Sequence, residues 1–467
     1  MDKYKQGIIG AFIFLAEYHI LWNLFYPYLW KLPYQQFEFI FAILLLAAAV
    51  FYMIRNAARE PEYLKRFMCR LRYGLSREHI FLIALFMWFA VDCILQQCID
   101  GKNYVQINDW KLFCSALAAF VFFPFAKVVG DNKARSIIEL MMHLTVIMYT
   151  VFWTWVLWQY YHMNFITFPS GTQLSMVGTH LLEAGINRNV TAAHSAVMVS
   201  LCIYMIMTRD KKLRTAYVFA FAIHIMVVML TDCRTSYVAV VCTVCVAICL
   251  SLWRHCSFKK RLTGSIIAQA LIMVIVALLC IFVFYMIKKG AFRILEHCIE
   301  LYSDGSPSTT TVIRPYNNLS GREDIWIGAI KMLLSSTRRF FLGVIPSQIG
   351  NTLKSMGLLN RMTSHCHNVL LEVAASLGVP AMLFYAWFLL SVLRHCIHVI
   401  GMQCGQFKCP CGILIVLLCL VVIDMAESFL FGPTSANMPV FHIFAGWITV
   451  MDDNDSSFQK GRYKKRK

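Results

Sequence analysis

The chain consists mainly of apolar segments long enough to cross a lipid bilayer as helices, separated by polar connections. This pattern is compatible with few folds. A helix needs about 20 mainly apolar residues to cross a bilayer, because lipid offers no hydrogen-bond partner to an unpaired backbone group. Hydrophobic residues make up 59% of the 467 positions and charged residues only 15%. A soluble domain of this length does not need so much apolar surface. The sequence therefore predicts an all-α polytopic membrane protein.

The apolar segments predict about twelve transmembrane helices. They lie at 7–30, 35–54, 78–98, 110–129, 137–160, 192–208, 214–232, 235–253, 264–287, 368–394, 410–430 and 437–451. The first segment is followed by others of equal strength and has no small-residue cleavage site, so we expect a span rather than a removed signal peptide. The 18 cysteines are mostly scattered through the apolar segments, where a thiol behaves as a small hydrophobe rather than as part of a disulfide framework.

Basic residues give the chain a net charge of +18 and lie mostly in short connections and in the C-terminal tail. Under the positive-inside rule, the basic connections at 55–77, 209–214 and 259–261 are cytoplasmic, and so are both termini. We expect these residues to contact anionic lipid headgroups, and we expect no nucleic-acid partner. The predicted domains are spans one to nine at 1–287, a large extracytoplasmic loop at 288–367, spans ten to twelve at 368–451, and a basic cytoplasmic tail at 452–467.

The large loop is predicted to carry an amphipathic helix at about 321–336. Ser320 to Glu323 has the pattern of a capping box, in which two side chains satisfy free backbone groups at a helix start. Apolar residues then recur near helical spacing at Ile325, Ala329, Met332 and Leu333, followed by Ser336, which predicts one buried helix face.

Arginines in outer connections run against the positive-inside bias. Arg188, Arg234 and Arg322 are the candidates for binding an anion, and contact with lipid headgroups is the alternative. Arg234 lies in a very short turn, where pairing with Asp232 is a second alternative. Arg322 is placed in the first turn of the predicted amphipathic helix, where free N–H groups and a guanidinium fork suit phosphate, although the next two residues are acidic.

His367 and Asn368 close the large loop at the start of a span. A neutral imidazole there can accept a proton from a substrate at the membrane surface, so His367 is the candidate base and His365 the weaker neighbour. The alternative is a histidine that only caps the helix. A metal held by His365, Cys366 and His367 would need more ligands than this spacing offers.

Acidic residues within or near the spans, and a group of histidines and cysteines, allow two further interpretations: a proton path and a zinc site. Glu427 lies near the outer end of its span and could pair with an arginine of the site. Together with Glu17, Asp92 and Asp424, it could instead form a proton path as in a transporter. A second group is predicted in a cytoplasmic loop, where its residue types suit zinc but its spacing does not. This group comprises His395, Cys396, His398, Cys404, Cys409 and Cys411.

These motifs resemble the O-antigen ligase and O-antigen polymerase superfamily, the WaaL and Wzy proteins. The resemblance covers residues 185–450, whereas the first five spans match only in being apolar. It rests on His367-Asn368 followed after nine residues by Gly378, on Ser320-Gly321-Arg322 with Trp326, on the short turn with Arg234, and on the segment from Glu427 to Leu430. Ala381 departs from the ligase form, which often has a second glycine at this position.

The resemblance implies a GT-C-like, inverting glycosyltransferase that acts in the bacterial inner membrane without a metal or another cofactor. The donor would be a glycan on a polyprenyl diphosphate, and the acceptor either a second glycan or lipid A core. His367 would be the catalytic base, Arg234, Arg322 and Arg188 would bind the diphosphate, and Asn368, Glu427 and His365 would support them. A flippase and a chain-length regulator are candidate partners.

The close alternatives within this family are a polymerase of lipid-linked repeat units and a ligase. The imperfect ligase signature at Ala381 favours the polymerase. A transporter or flippase of lipid-linked sugars is the alternative of another class. It would require repeated halves and broken helices with ionisable groups near mid-membrane, and the sequence shows no repeat.

Overall fold

The computed structural model describes residues 77–101, 131–162, 188–209, 211–255, 266–302, 321–359, 365–402, 408–427 and 437–464, with short stretches at 17, 20–21, 24–25, 55, 58, 104–106, 109–110, 112–113, 123, 167–169, 174–175 and 183–184. The predicted spans at 7–30, 35–54 and 110–129 therefore lie almost entirely outside the described residues. Arg314 and Arg361, two further arginines of the predicted outer loop that run against the positive-inside bias, also lie outside the described residues.

The described part of the chain is helical, apart from a two-residue antiparallel ladder in which Leu174 faces Ala184 and Ser175 faces Glu183. The helices are α1 (Arg77–Asp100), α2 (Asp131–Tyr161), α3 (Arg188–Thr208), α4 (Lys211–Thr231), α5 (Arg234–His255), α6 (Ile266–Tyr302), α7 (Arg322–Leu334), α8 (Thr337–Leu342), α9 (Ile349–Ser355), α10 (Val369–Met402), α11 (Lys408–Asp424) and α12 (Asn437–Lys464).

Seven of the described helices are long and apolar enough to cross a membrane, and two shorter apolar helices lie at Cys409–Asp424 and Asn437–Met451. The seven are α1 to α6 and α10. Each of these nine helices coincides with a predicted apolar segment. The ends differ most in α6, α12 and α10, which run past their predicted ends at 287, 451 and 394 to Tyr302, Lys464 and Met402.

The spanning helices alternate in direction, so side chains from distant connections meet at two opposite ends of the bundle. At one end, the Glu427 end, Asn189 at the start of α3 contacts Glu427 just after α11. At the other, the Glu139 end, Arg209 after α3 forms an ion pair with Glu139 near the start of α2. Helix α3 forms the centre of the bundle, because every residue from Thr191 to Met205 is buried.

Helix α10 is broken at Gly378, where φ is 84° and ψ is 168°. The segment after α8 inserts against the break, and the N–H groups of Val344 and Ile345 donate to the carbonyls of Ala375 and Ser376, both at 2.9 Å. A side chain at Gly378 would place its Cβ 2.0 Å from the carbonyl oxygen of Phe341. This glycine therefore lets the outer segment approach the opened backbone of a spanning helix.

The amphipathic helix is present as α7, shorter than the predicted 321–336. Its buried face comprises Ile325, Gly328, Ala329, Met332 and Leu333. The predicted capping box is wrong: the N-cap residue is Gly321, in the left-handed conformation at φ 74°, without a side-chain capping hydrogen bond. Ser336 lies beyond α7 and instead caps α8, where its hydroxyl accepts from the N–H of Arg339.

The histidines and cysteines predicted in a cytoplasmic loop lie in helices where the structure describes them, and Cys404 lies outside the described residues. His395, Cys396 and His398 belong to α10, and Cys409 and Cys411 belong to α11. The prediction of a loop was wrong because α10 continues past the end of its most apolar stretch. His395 contacts Glu78 of α1, with its Nε2 atom 2.9 Å from the carboxylate, so its described partner is a side chain of another helix.

Candidate functional site

Glu427 is the centre of a polar cluster at the Glu427 end of the bundle. Only 4% of this residue is exposed, and three side chains contact its carboxylate. Arg322 forms an ion pair with Oε1, the Asn189 amide donates to the same oxygen at 3.0 Å, and His367 Nδ1 lies 2.9 Å from Oε2. A buried carboxylate requires such partners, since leaving it unpaired would cost several kcal/mol.

Arg322 reaches this carboxylate from the first residue of α7. A second guanidinium nitrogen donates to the hydroxyl of Thr235 at 2.9 Å, so one arginine joins α7, the start of α5 and the end of α11. Its position follows from the buried face of α7, where Ile325 packs in a cluster with Leu353 of α9 and Cys366. Trp326 adds a hydrogen bond from its indole to the carbonyl of Cys366, at 2.9 Å.

His367 is held in an uncommon backbone conformation, with φ at 52°. The residues on either side fix it there. Asn368 caps α10 by accepting from the N–H of Leu371 at 3.1 Å and donates to the carbonyl of Met425 at 2.9 Å, while the N–H of Cys366 donates to Glu372 at 2.5 Å. Such left-handed residues cost of order 1–3 kcal/mol and persist only where their surroundings fix them.

The contact with Glu427 determines which nitrogen of His367 carries the proton. A carboxylate facing a guanidinium is ionised and can only accept, so in the neutral ring Nδ1 is the donor. Nε2 then carries a lone pair and can accept a proton from a substrate. The side chain is 23% exposed, so it remains accessible from the surface. A histidine oriented in this way by a carboxylate is the usual arrangement of a general base.

Four helices begin at this cluster. Arg188 and Arg234 are the first residues of α3 and α5, Arg322 is the first residue of α7, and α10 starts two residues after His367. Helix N-termini present free N–H groups and a positive dipole end. Together with three half-buried arginines, they make this end of the bundle suited to a phosphate-containing ligand.

Asp232 and Lys288 form an ion pair beside the cluster. We considered Asp232 as a partner of Arg234, but its described ion pair is with Lys288 of α6. Lys288 and Asp232 are largely buried, with side chains 14% and 10% exposed. Asp232 lies two residues before the start of α5, and Thr235, the second residue of α5, accepts from Arg322. The ion pair and the Arg322 contact therefore involve the same short stretch of chain.

Most of the predicted site residues lie together. Arg322 and His367 both contact the carboxylate of Glu427, and Asn368 donates to the carbonyl of Met425, two residues before Glu427. The ring of His365 lies 5.2 Å from that of His367. Cys366 does not resemble a metal ligand, because burial and the nearby Glu372 raise the pKa of its thiol well above the usual range. Its backbone is also fixed by two hydrogen bonds.

The proposed chain of acids is not formed by the described contacts. Asp92 accepts from Gln96 at 3.0 Å and Glu17 from Thr145 at 3.0 Å, so neither is linked to Glu427 among the described residues. Asp424 is the last residue of α11 and precedes Glu427 by three residues, about one helical turn.

Asn189, Thr235 and Lys288 were not predicted from the sequence. Asn189 and Thr235 each follow a candidate arginine directly, and this adjacency was the available signal. Lys288 lies just beyond the predicted end of its span, where a lysine is ordinary.

Residues 218–386 match the family model described as O-antigen ligase. No curated protein matches the chain. The matched region runs from α4 through the outer helices to the broken α10. It contains Arg234, Lys288, Arg322 and His367, whereas Asn189 and Glu427 lie on either side of it. With the apolar helices, the match supports an integral bacterial membrane protein and an enzyme of the O-antigen ligase and polymerase superfamily.

Proposed function

We propose that this protein is a glycosyltransferase that polymerises oligosaccharide repeat units carried on polyprenyl diphosphate into a surface polysaccharide. The observation that supports this most directly is the shared carboxylate of Glu427, which pairs with Arg322 on one oxygen and with His367 on the other. Glycosyl transfer from a diphosphate needs an anion-binding group and a base close together. The cluster provides both.

The proposed reaction is a direct displacement at the anomeric carbon. An acceptor hydroxyl attacks this carbon while the bond to the diphosphate oxygen breaks, and the configuration inverts. The hydroxyl proton goes to Nε2 of His367, and Glu427 stabilises the resulting imidazolium through Nδ1. The leaving diphosphate takes the electron pair of the broken bond.

Arg322 is the proposed primary ligand of the diphosphate, with Arg234 and Arg188 beside it. Groups that bind developing charge in this way typically contribute about 10²–10³ to the rate. Arginine forks and helix N-termini supply positive charge without a metal ion, and we propose a metal-independent reaction. Asn368 positions His367, Asn189 positions Glu427, and His365 lines the approach to the base.

The Glu427 end is proposed to face the periplasm. Helices α3 and α5 finish at the other end of the bundle, and the basic connections that follow them in the sequence are assigned to the cytoplasm by the positive-inside rule. The termini would then be cytoplasmic. A lipid-linked donor has to be flipped across the membrane before it reaches this site, so a flippase would supply the substrate, and a chain-length regulator is a candidate partner.

A ligase that transfers the glycan to lipid A core is the second candidate. The description of the matched family model favours it. The two enzymes differ in the acceptor, and Ala381 is fully buried one turn after the break in α10, where it packs inside the bundle. Deleting the gene separates them: loss of chain length with single repeats retained on the surface identifies a polymerase, and long chains left on the lipid carrier identify a ligase.

The transporter alternative receives partial support from the broken helix α10. However, the described contacts fill the opened backbone with protein groups, because Val344, Ile345 and the indole of Trp88 donate to its carbonyls. A transporter would leave such groups to its substrate or coupling ion.

The direct test is glycan transfer in liposomes, with a polyprenyl-diphosphate oligosaccharide as donor. The expected products are polyprenyl diphosphate and an elongated glycan. His367→Ala should lower the rate about 10²–10⁴-fold, and Arg322→Ala about 10²–10³-fold.

Two variants serve as matched controls. His395→Ala removes a histidine that faces Glu78 at the same 2.9 Å, and Arg338→Ala removes an outer arginine that pairs with Asp100. Both should keep the parent rate. The proposal fails if the His367 and Arg322 variants, at equal membrane levels, transfer glycan as well as these controls do.

A further inference from the structure

An apolar groove between α5 and α6 leads along the lipid-facing surface to the Glu427 end. It has a volume of about 380 Å³. Its lining residues are Tyr237, Leu278, Ile281, Phe282, Tyr285 and Lys288.

The lining residues of α6 form one stripe that ends in a charge. Leu278, Ile281, Phe282 and Tyr285 recur at three- and four-residue spacing, which places them on one helix face, and they are 48–62% exposed. Lys288 continues the same face one turn further on. The stripe spans eleven residues, from Leu278 to Lys288, or about 15 Å of helix.

Tyr237 closes the groove on the α5 side. Its hydroxyl donates to the carbonyl of Ile281 at 3.4 Å, and its ring makes an edge contact with Phe284. The groove is therefore an open depression between two helices that contact each other through Tyr237.

The charged end of the groove adjoins the candidate site. Lys288 forms its ion pair with Asp232, and Thr235, three residues further on, accepts from Arg322. A ligand with a long apolar chain and an anionic head would place the chain in the groove and the head beside Lys288 and Arg322. An ordinary phospholipid can fill the apolar part but has a single phosphate, whereas the row of cations suits two.

We propose that the α5–α6 groove binds the polyprenyl chain of the donor and that Lys288 binds the phosphate next to that chain. This inference rests on the proposed function and names the donor subsite. When the donor binds, the ammonium group of Lys288 leaves Asp232 for the phosphate next to the polyprenyl chain, or donates hydrogen bonds to both. Arg322 is then left for the phosphate next to the sugar, and His367 faces the acceptor.

The test uses a polyprenyl diphosphate without a glycan, carrying a photoreactive group on its chain, with the full-length protein in nanodiscs. After irradiation, mass spectrometry locates the labelled peptide. We expect labelling within residues 278–285, competed by unlabelled polyprenyl diphosphate but not by phosphatidylglycerol. Equal competition by phosphatidylglycerol would identify a general lipid groove and overturn the proposal.

A pair of neighbouring leucines supplies the matched control. Leu278→Trp fills the groove and should lower labelling at least about tenfold, the factor that corresponds to 1.4 kcal/mol. Leu279 is equally exposed, at 60% against 62%, but does not line the groove, so Leu279→Trp should label like the parent. Equal labelling of both variants would also overturn the proposal.

Lys288 is tested through binding rather than activity. Lys288→Gln should weaken retention of the diphosphate probe about tenfold, because it removes one charge-assisted hydrogen bond, and Lys288→Arg should restore most of it. Unchanged retention in Lys288→Gln would remove this residue from the subsite.

The outcomes separate this inference from the proposed function. A second apolar groove, of about 530 Å³, lies between α2 and α4 and is lined by Val151 and Leu213 among others. Glycan transfer that depends on Arg322 and His367, with labelling confined to this second groove, would refute the subsite and leave the function standing. Labelling of residues 278–285 in a protein that transfers no glycan would support the subsite and refute the proposed function.

Discussion

Replacing Gly378 by alanine tests the account of how the outer segment is seated on the membrane bundle. The glycine has φ 84° and ψ 168°, a region that only glycine adopts readily and that costs other residues of order 1–3 kcal/mol. The new Cβ would also lie 2.0 Å from a backbone oxygen of Phe341 and 2.8 Å from the nitrogen of Leu342. Backbone atoms cannot rotate away, so the segment has to move.

The movement should break the two hydrogen bonds from Val344 and Ile345 to the opened helix. Each contributes about 0.5–1.5 kcal/mol, so strain and lost hydrogen bonds together amount to about 2–6 kcal/mol. Hydrogen exchange measures this locally. Because an equilibrium constant changes about tenfold per 1.4 kcal/mol, the protection of the Val344 and Ile345 amides should fall by a factor of about 30 or more. Arg322, which belongs to the same outer segment, should then be displaced from Glu427.

Two other glycines separate the causes. Gly357 has φ 66° but open space around its Cβ position, so Gly357→Ala should cost only the left-handed strain of about 1–2 kcal/mol. Gly290 lies inside α6, likewise with open space, and Gly290→Ala should be neutral or stabilise by up to about 1 kcal/mol. If the Val344 and Ile345 amides stay as protected in Gly378→Ala as in Gly290→Ala, the outer segment does not depend on the missing side chain at Gly378.

Asn368→Ala removes both the cap of α10 and the bond to Met425, so it should destabilise the protein by about 1 kcal/mol and slow glycan transfer by misplacing His367. Asn368→Ser keeps a capping oxygen but cannot reach Met425. Thermal melting should therefore show restored stability, whereas the rate of glycan transfer should stay low. Equal transfer rates in Asn368→Ser and the parent would exclude a role for the hydrogen bond from Asn368 to Met425. Cys366→Ala should lower the free energy of unfolding by no more than about 1 kcal/mol, as expected for a small buried group, and should transfer glycan within a few-fold of the parent rate. A large loss of activity together with a loss of bound metal would contradict the assignment of Cys366 as a neutral, buried thiol.

The spanning helices could be predicted from sequence because their length and composition follow from the bilayer itself. The segment at 437–451 has the bounds of the short apolar helix there, and the one at 192–208 differs from its helix only at the start. Polar flanks set these bounds, since charged residues stop the insertion of a helix into lipid. The extension of α10 to Met402 was not predictable in this way, because a helix can continue into water once packing holds it.

The candidate site could be predicted in part because its residues lie in separate connections on the same side of the membrane. His367, Arg322 and Glu427 are far apart in sequence, and topology alone placed them at one end of the bundle. Which groups touch could not be derived, because the contacts depend on how the helices turn about their axes. The role of Gly378 shows the same limit: its position was visible in the sequence, whereas the approach of Phe341 to its Cα was not.

The cations at the Glu427 end are partly neutralised before any donor is present, and this bears on how the site works. Arg322 and Lys288 are 16% and 14% exposed, and leaving such charges unpaired in a poorly solvated region would cost several kcal/mol. Glu427 and Asp232 remove that cost, so a diphosphate bound as we propose has to compete with two carboxylates or share their partners. Glu427 also contacts Nδ1 of His367, a contact that Asp232 lacks. Under the proposed mechanism, a diphosphate that draws Arg322 away leaves Glu427 to pair with His367, so the same carboxylate would link donor binding to the base that accepts the acceptor's proton.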